Sequence, residues 1–206
     1  MHPATFISTV SKKKVDNFAV YATLVDFSYS PPMVLFASNK KKYAKLDKSP
    51  QNTYKNITET KSFIVNVPEM KLVSKLKIGG TSFSRKIDKI KLAGLTKVNP
   101  FKLNISPAFP KLINECISHL ECKLVKIINI KEADHVIIIG KVVSASYDSK
   151  LGKNFKEARK SLINKVFNNL GAINNRQRLI GRIKPIRVTC PVYEKEKHIV
   201  KSTLKG

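Results

Sequence analysis

The sequence predicts a mostly β fold, a barrel of strands with only short helices over its first 150 residues. Three observations carry this. Runs rich in β-branched and aromatic residues recur between turn-forming residues. The helix-like stretches among them are short. No Gly-x-Gly-x-x-Gly motif and no regular strand–helix alternation marks a parallel dinucleotide-binding sheet.

Thr5 to Val10 is expected as the first strand, ending in Ser11 and a lysine-rich turn. Phe18 to Val25 reads as the second. Ser30-Pro31-Pro32 breaks the chain and leads into Met33 to Ala37, a continuous apolar run that suits a strand buried on both faces. A polar loop from Ser38 to Gln51 follows. Asn52-Thr53 can cap a short helix running to about Lys61. Phe63 to Val67 is another strand, and a short helix is expected from Met70 to Lys77. Gly79-Gly80 then opens a long irregular stretch to about Phe109. Leu120 to Ile130 and Val136 to Ser146 read as paired strands around a turn of Lys131 to Asp134. Lys153 to Asn169 has the spacing of an amphipathic helix ended by Gly171, and Arg178 to Val192 suits one more strand pair. The expected organisation is a barrel domain over 1–150 and a C-terminal helical and strand appendage over 151–206.

The 206 residues are 42% hydrophobic, enough for one sizeable core or a core with a small appendage. No apolar run reaches the ~20 residues of a membrane helix. The N-terminus lacks the order of a signal peptide, since Lys12 to Lys14 follow an apolar run instead of preceding it. A cytoplasmic location is therefore expected. Three cysteines, with no Cys-x-x-Cys pair, argue against a disulfide framework and a structural zinc. The four histidines are scattered, and no metal site is expected. Net charge is +25, mostly from lysine. It fits a nucleic-acid partner, or a compositional bias toward lysine that names no partner.

Three places could carry chemistry. Phe36-Ala37-Ser38-Asn39-Lys40 brings a small residue, a hydroxyl, an amide and a cation to the end of a buried strand. Thr53 starts a helix whose free N–H groups favour an anion. Ser38, Asn39, Lys40 and Thr53 suit a phosphate, or else an ordinary polar turn and a plain helix cap. Asn17 to Thr23 sets small residues beside polar ones, so a flat ring could approach its backbone; a half-buried strand with alternating faces reads the same way. His135, after Asp134, sits at the mouth of an apolar strand, beside a cofactor or merely at a turn. Nucleophilic catalysis has little support: no Gly-x-Ser-x-Gly elbow exists, and Cys122 reads as a buried structural thiol. Glu115 and Glu121 have no foreseeable mutual geometry.

Order and spacing add what the separate motifs lack. His2-Pro3, Ser8-Thr9-Val10-Ser11, Asn17 with Ala19, and Ser28-Tyr29-Ser30-Pro31-Pro32-Met33-Val34 come first. Ser38-Asn39, Asn52-Thr53, Asn56-Ile57, Glu59-Thr60 and Phe63-Ile64-Val65-Asn66-Val67 follow. Ile87-Asp88-Lys89, Ala93-Gly94-Leu95-Thr96, Leu120-Glu121-Cys122-Lys123-Leu124 and Asp134-His135 through Gly140-Lys141-Val142 complete the succession to about Tyr147. In this order the chain resembles the flavin reductase-like, FMN-binding split-barrel family, which includes flavoredoxin-like proteins.

The resemblance implies a split β-barrel, a homodimer, and a flavin near the dimer interface, FMN in preference to FAD. It implies electron transfer from NADH or NADPH to flavin, or an FMN electron carrier that uses no pyridine nucleotide. A basic nucleic-acid-binding barrel is the rival outside that family. By similarity Thr23 faces the flavin, Ser38, Asn39, Lys40 and Thr53 take the ribityl phosphate, Ala37 is a further cofactor-binding residue, and His135 lies near the isoalloxazine or nicotinamide. Three departures stand out. Val20 and Ala22 replace the family's frequent Pro and Ser in the second strand. The loop from Lys40 to Gln51 is longer than usual, so Lys41 or Lys42 could stand for Lys40. The tail after about residue 150 has no match.

Overall fold

The computed structural model describes residues 4–41, 50–103, 108–154 and 157. Its strands are β1 Thr5–Val10, β2 Asp16–Tyr21, β3 Val25–Tyr29, β4 Pro32–Asn39, β5 Ser62–Val67, β6 Lys97–Val98, β7 Leu112–Ile113, β8 Ser118–Asn129 and β9 His135–Tyr147. The helices are α1 Asn52–Thr60, α2 Lys75–Gly80 and α3 Lys89–Leu92, with 3-10 turns at Met70–Leu72 and Ser149–Leu151. Seven strands form one antiparallel sheet in the order β2-β1-β5-β8-β9-β4-β3, and β6 pairs with β7.

Alternation along β1 explains how the sheet acquires two apolar layers. Ile7 points inward, to Phe36, Phe63, Val65, Val136 and Ile138. Phe6 points outward and joins Phe18, Leu72, Ile90 and Ile113. The Phe6 and Phe18 rings lie 5.1 Å apart. The inner layer is the barrel core, and α1 seals its end with the fully buried Ile57. Nine residues are fewer than the ~12–15 an isolated helix needs. Packing of Ile57, at about 1.5–3 kcal/mol for a buried aliphatic side chain, therefore helps to hold α1. The outer layer is covered by α2 and α3, which pack on β2.

The sheet coils until its β2 edge meets β4. Tyr21, the last residue of β2, lies 4.8 Å from the Phe36 ring by centroids, and its hydroxyl is 3.0 Å from Ser38 Oγ. Two glycines permit close approach. A Cβ on Gly140 of β9 would sit 2.4 Å from Phe63 Cζ, and one on Gly79 of α2 would sit 2.5 Å from Val20 Cγ2.

Several expectations are corrected. The strand expected from Phe18 to Val25 is two: β2 stops at Tyr21, the chain turns, and β3 runs to Tyr29 with a register shift between Asp26 and Ser28. Met33 to Ala37 is not buried on both faces. In β4, Val34, Phe36 and Ser38 are buried, and Met33, Leu35 and Ala37 are half-covered on the outer side. The expected Met70–Lys77 helix is a 3-10 turn followed by α2, which includes Gly79 and Gly80. The stretch read as irregular holds α3, β6 and β7. The helix expected over Lys153–Asn169 and the strand pair over Arg178–Val192 lie essentially outside the described residues. Among the described residues no helix is long and apolar enough to cross a membrane.

Candidate functional site

Four segments converge at one end of the sheet: the turn after β2, the end of β4, the start of α1 and the start of β9. Thr23 Oγ1 accepts from the Ala37 N–H at 3.1 Å and donates to the Ala37 carbonyl at 3.2 Å, which joins the turn after β2 to β4. Ala37, Ser38 and Asn39 face Ile137, Val136 and His135 across the β4–β9 register. Beyond β4, the Lys40 N–H donates to the Asp134 carbonyl at 2.9 Å, and the Gln51 N–H donates to the Lys40 carbonyl at 3.2 Å. All seven residues singled out in the sequence, Thr23, Ala37, Ser38, Asn39, Lys40, Thr53 and His135, therefore belong to this end of the barrel.

Their side chains divide into two sets. Ser38 and Thr53 are buried and point inward. Ser38 Oγ pairs with the Tyr21 hydroxyl, and Thr53 Oγ1 accepts from Asn17 Nδ2 at 3.3 Å. Burial raises the Tyr21 pKa, so its hydroxyl stays protonated. Asn17 Nδ2 also approaches Thr9 Oγ1 at 3.3 Å, where Asn56 Nδ2 donates at 3.1 Å. Arg85 donates in turn to Asn56 and Glu59, and that partnership lowers the Glu59 pKa. A polar bracket thus runs from β1 and β2 through α1. In contrast, Thr23 is exposed, and Ala37, Asn39 and His135 are only partly covered.

Neither Asn52 nor Thr53 caps α1. The N-cap is Gln51, without a side-chain hydrogen bond, and Asn52 and Thr53 lie inside the first turn. Asn52 donates to the Phe83 carbonyl at 3.0 Å, while its buried Oδ1 has no hydrogen-bond partner. Lys40 Nζ donates to the Ile130 carbonyl at 2.6 Å, which ties this cation to the β8–β9 turn. His135 Nδ1 lies 2.5 Å from Asp134 Oδ1. A carboxylate can only accept, so Nδ1 carries a proton and Nε2 faces away from Asp134.

Sequence reasoning missed Tyr21 and Asn52. Tyr21 stands two residues before Thr23, the spacing of one strand face, but an aromatic in a strand carries no further signal. Asn52 was legible only as a cap. Cys116 and Cys122 are buried, and burial pushes both thiols far above their ordinary range, so neither is a nucleophile at neutral pH. A cavity of about 390 Å³ lies at the opposite end of the β8–β9 hairpin, beside His119 and Ser146, and contains none of the seven residues.

The family model described as "Flavin reductase like domain" matches residues 1–163. An uncharacterized protein of Aquifex aeolicus is 27% identical over 161 residues, covering 76% of this chain and 77% of its own length. Among solved structures, nitrilotriacetate monooxygenase component B from Bacillus cereus superposes with a TM-score of 0.66 at 20% identity, over 78% of this chain and 77% of that one. A protein of Shewanella frigidimarina described as a flavin reductase with a split barrel domain gives a TM-score of 0.61 at 16% identity, over 73% and 69%. At such identities the likeness speaks for the fold, and that fold is the split barrel expected from the sequence.

Proposed function

The chain belongs to the flavin reductase like domain family, and from that premise we propose that it is an FMN-dependent oxidoreductase that takes electrons from NADH or NADPH. Membership supports a flavin-related oxidoreductase; the choice of FMN, the pyridine nucleotide, a homodimer and a cytoplasmic location are the proposal. The single observation that carries it is the convergence of Thr23, Ala37, Ser38, Asn39, Lys40, Thr53 and His135 at one end of the barrel.

The residues present fit such a cofactor. The first turn of α1 lacks a side-chain cap, so its backbone N–H groups can meet a phosphate. The orphaned Asn52 Oδ1 can accept from a ribityl hydroxyl. On the outer face Ala37 is small, and Leu35 and Ile137 beside it are half-covered and apolar, a seat for a flat ring. The inward hydroxyls of Ser38 and Thr53 serve by holding β4 and α1 in register with Tyr21 and Asn17, so that backbone groups carry the anion.

When bound, flavin supplies a two-electron centre that accepts hydride equivalents and passes electrons onward. The chain's part is to bind, orient and exclude water. Thr23 fixes the Ala37 peptide, and Asp134 fixes the His135 ring with Nε2 turned away from it. The outer face of β3, β4 and β9 also supports a homodimer, because Val25, Met33, Leu35 and Ile137 are left half-covered there. The test is the colour and released flavin of protein purified without added flavin, followed by rapid mixing with NADH and NADPH. Bound FMN reduced by either nucleotide supports the proposal. FMN without reduction would make the protein an electron carrier, and colourless protein with no flavin affinity would overturn the reading.

A further inference from the structure

The cavity at the far end of the β8–β9 hairpin is a built space, not a gap between loose segments. His119 and Ser146 at its back are register partners, eleven residues along β9 from His135, or about 36 Å of extended strand. It lies between the β6–β7 pair and the ends of β8 and β9. Its Phe101 wall is held by an unusual clamp. Glu121, 1% exposed, accepts from three consecutive backbone N–H groups: Phe101 at 2.6 Å, Lys102 at 2.7 Å and Leu103 at 3.0 Å. The Glu115 carboxylate accepts from the Thr96 N–H at 2.9 Å, and the Asn114 N–H donates to the Thr96 carbonyl at 3.0 Å. The Asp148 N–H donates to the Ile117 carbonyl at 2.9 Å. His119 is fully engaged: Nε2 donates to the Ile113 carbonyl and Nδ1 accepts from Ser146. Each wall is thus fixed without a ligand.

Two further observations say what would fill it. Phe101, 64% exposed, Tyr147, 37%, and Val98, 37%, are large apolar side chains left open to water around one cavity. Aromatic walls around about 390 Å³ suit a flat ring, and that size lies in the range of small-molecule sites. Among the described residues that line the cavity, Asp148 carries the one formal charge, and none is lysine or arginine.

We propose that this cavity binds a small aromatic cation, its ring between Phe101 and Tyr147 and its positive head toward Asp148. The site is separate from the flavin end and does not depend on the flavin assignment. The test is saturation-transfer NMR titration of the full chain with benzamidine and with benzoate, with and without excess FMN. Benzamidine should bind saturably in the millimolar range and at least tenfold more tightly than benzoate, and FMN should not displace it. Val98→Trp, which fills the space from an exposed strand position, should weaken benzamidine at least tenfold. Tyr147→Ala should weaken it severalfold. Asp148→Asn, which can still cap the following 3-10 turn, should narrow the preference over benzoate. Failure to saturate, equal affinity for benzoate, displacement by FMN, or unchanged affinity in both Val98→Trp and Tyr147→Ala would each overturn the proposal.

Discussion

The hydroxyl of Tyr21, at the end of β2, lies 3.0 Å from Oγ of Ser38 on β4. These strands stand at and next to opposite edges of the seven-stranded order, so this contact helps close the barrel where backbone pairing does not.

Tyr21→Phe should therefore destabilise the protein more than its small change in volume suggests. It leaves Ser38, fully buried, short of a partner, a cost of about 1–3 kcal/mol. For a domain of this size that is a fall in melting temperature on the order of 2–12 °C. Because burial raises the folded-state pKa of Tyr21 above its ordinary 10.0, its contribution is complete below pH 10.0 and is lost as pH rises through the folded value. Wild type should lose stability above that pH more steeply than Tyr21→Phe, as read by thermal melts. Equal melting temperatures at pH 7 would remove Tyr21 from this role.

Ser38→Ala combined with Thr53→Ala should weaken FMN binding about tenfold, since it removes two neutral hydrogen bonds that hold the site in place, at about 0.5–1.5 kcal/mol each, and 1.4 kcal/mol is tenfold. The hydroxyls point to Tyr21 and Asn17, so the loss comes through displacement of the β4 end and the first turn of α1. Flavin fluorescence quenching measures it. Unchanged affinity would mean that the phosphate binds elsewhere.

His135→Ala should slow reduction of bound FMN by pyridine nucleotide far more than it weakens FMN binding. Misplacement of reacting rings by about 1 Å can cost on the order of 10²-fold. Asp134→Asn should give a smaller effect in the same direction, because an amide holds the ring less firmly than the carboxylate now at 2.5 Å. A pre-steady-state rate within about twofold of wild type, under 0.5 kcal/mol, would leave His135 a turn residue.

Acid titration should expose the Glu59–Arg85 pair. Arg85 holds the Glu59 pKa below its ordinary 4.5. The stabilisation is thus present above pH 4.5 and is lost as pH falls through the folded value. Wild type should lose stability below pH 4.5 more steeply than Glu59→Gln, by denaturant melts at successive pH values. Parallel curves would show that the pair contributes nothing.

Gly140→Ala should destabilise by about 1–3 kcal/mol, the usual cost of overpacking, because its Cβ would meet the Phe63 ring at 2.4 Å. Phe63→Leu in the same background should recover part of the loss. No recovery would place the strain elsewhere.

What was legible follows from how local each signal is. β1 matches its expected bounds because Thr5 to Val10 is uniformly β-prone and ends at Ser11 with a lysine turn. The β8–β9 hairpin was legible because its turn is contiguous in sequence. The split between β2 and β3 was not, since Phe18 to Val25 is β-prone throughout. The β2 ladder stops with Tyr21 opposite Thr5, the first residue of β1, and the hydroxyl of Thr23 just beyond it bonds to a residue 14 positions away. Glu121 is the plainest case of an illegible role. Its three amide partners lie 18 to 20 residues earlier, in a stretch that reads as irregular. The site residues were gathered by family order, but the inward turn of Ser38 and Thr53 depends on Tyr21 and Asn17, and spacing alone cannot orient a side chain.

The two ends of the strand order have one more consequence. An unpaired strand edge invites another chain to extend the sheet. Here β2 is overlaid by α2 and α3. The other end, β3, is broken by the irregular register at Asp26 and Ser28 and leads into Pro31 and Pro32, which have no N–H to offer. Neither rim is a template for continuous cross-strand growth. The homodimer proposed above would therefore pair face to face, over the half-covered apolar surface of β4 and β9, and not by extending the sheet.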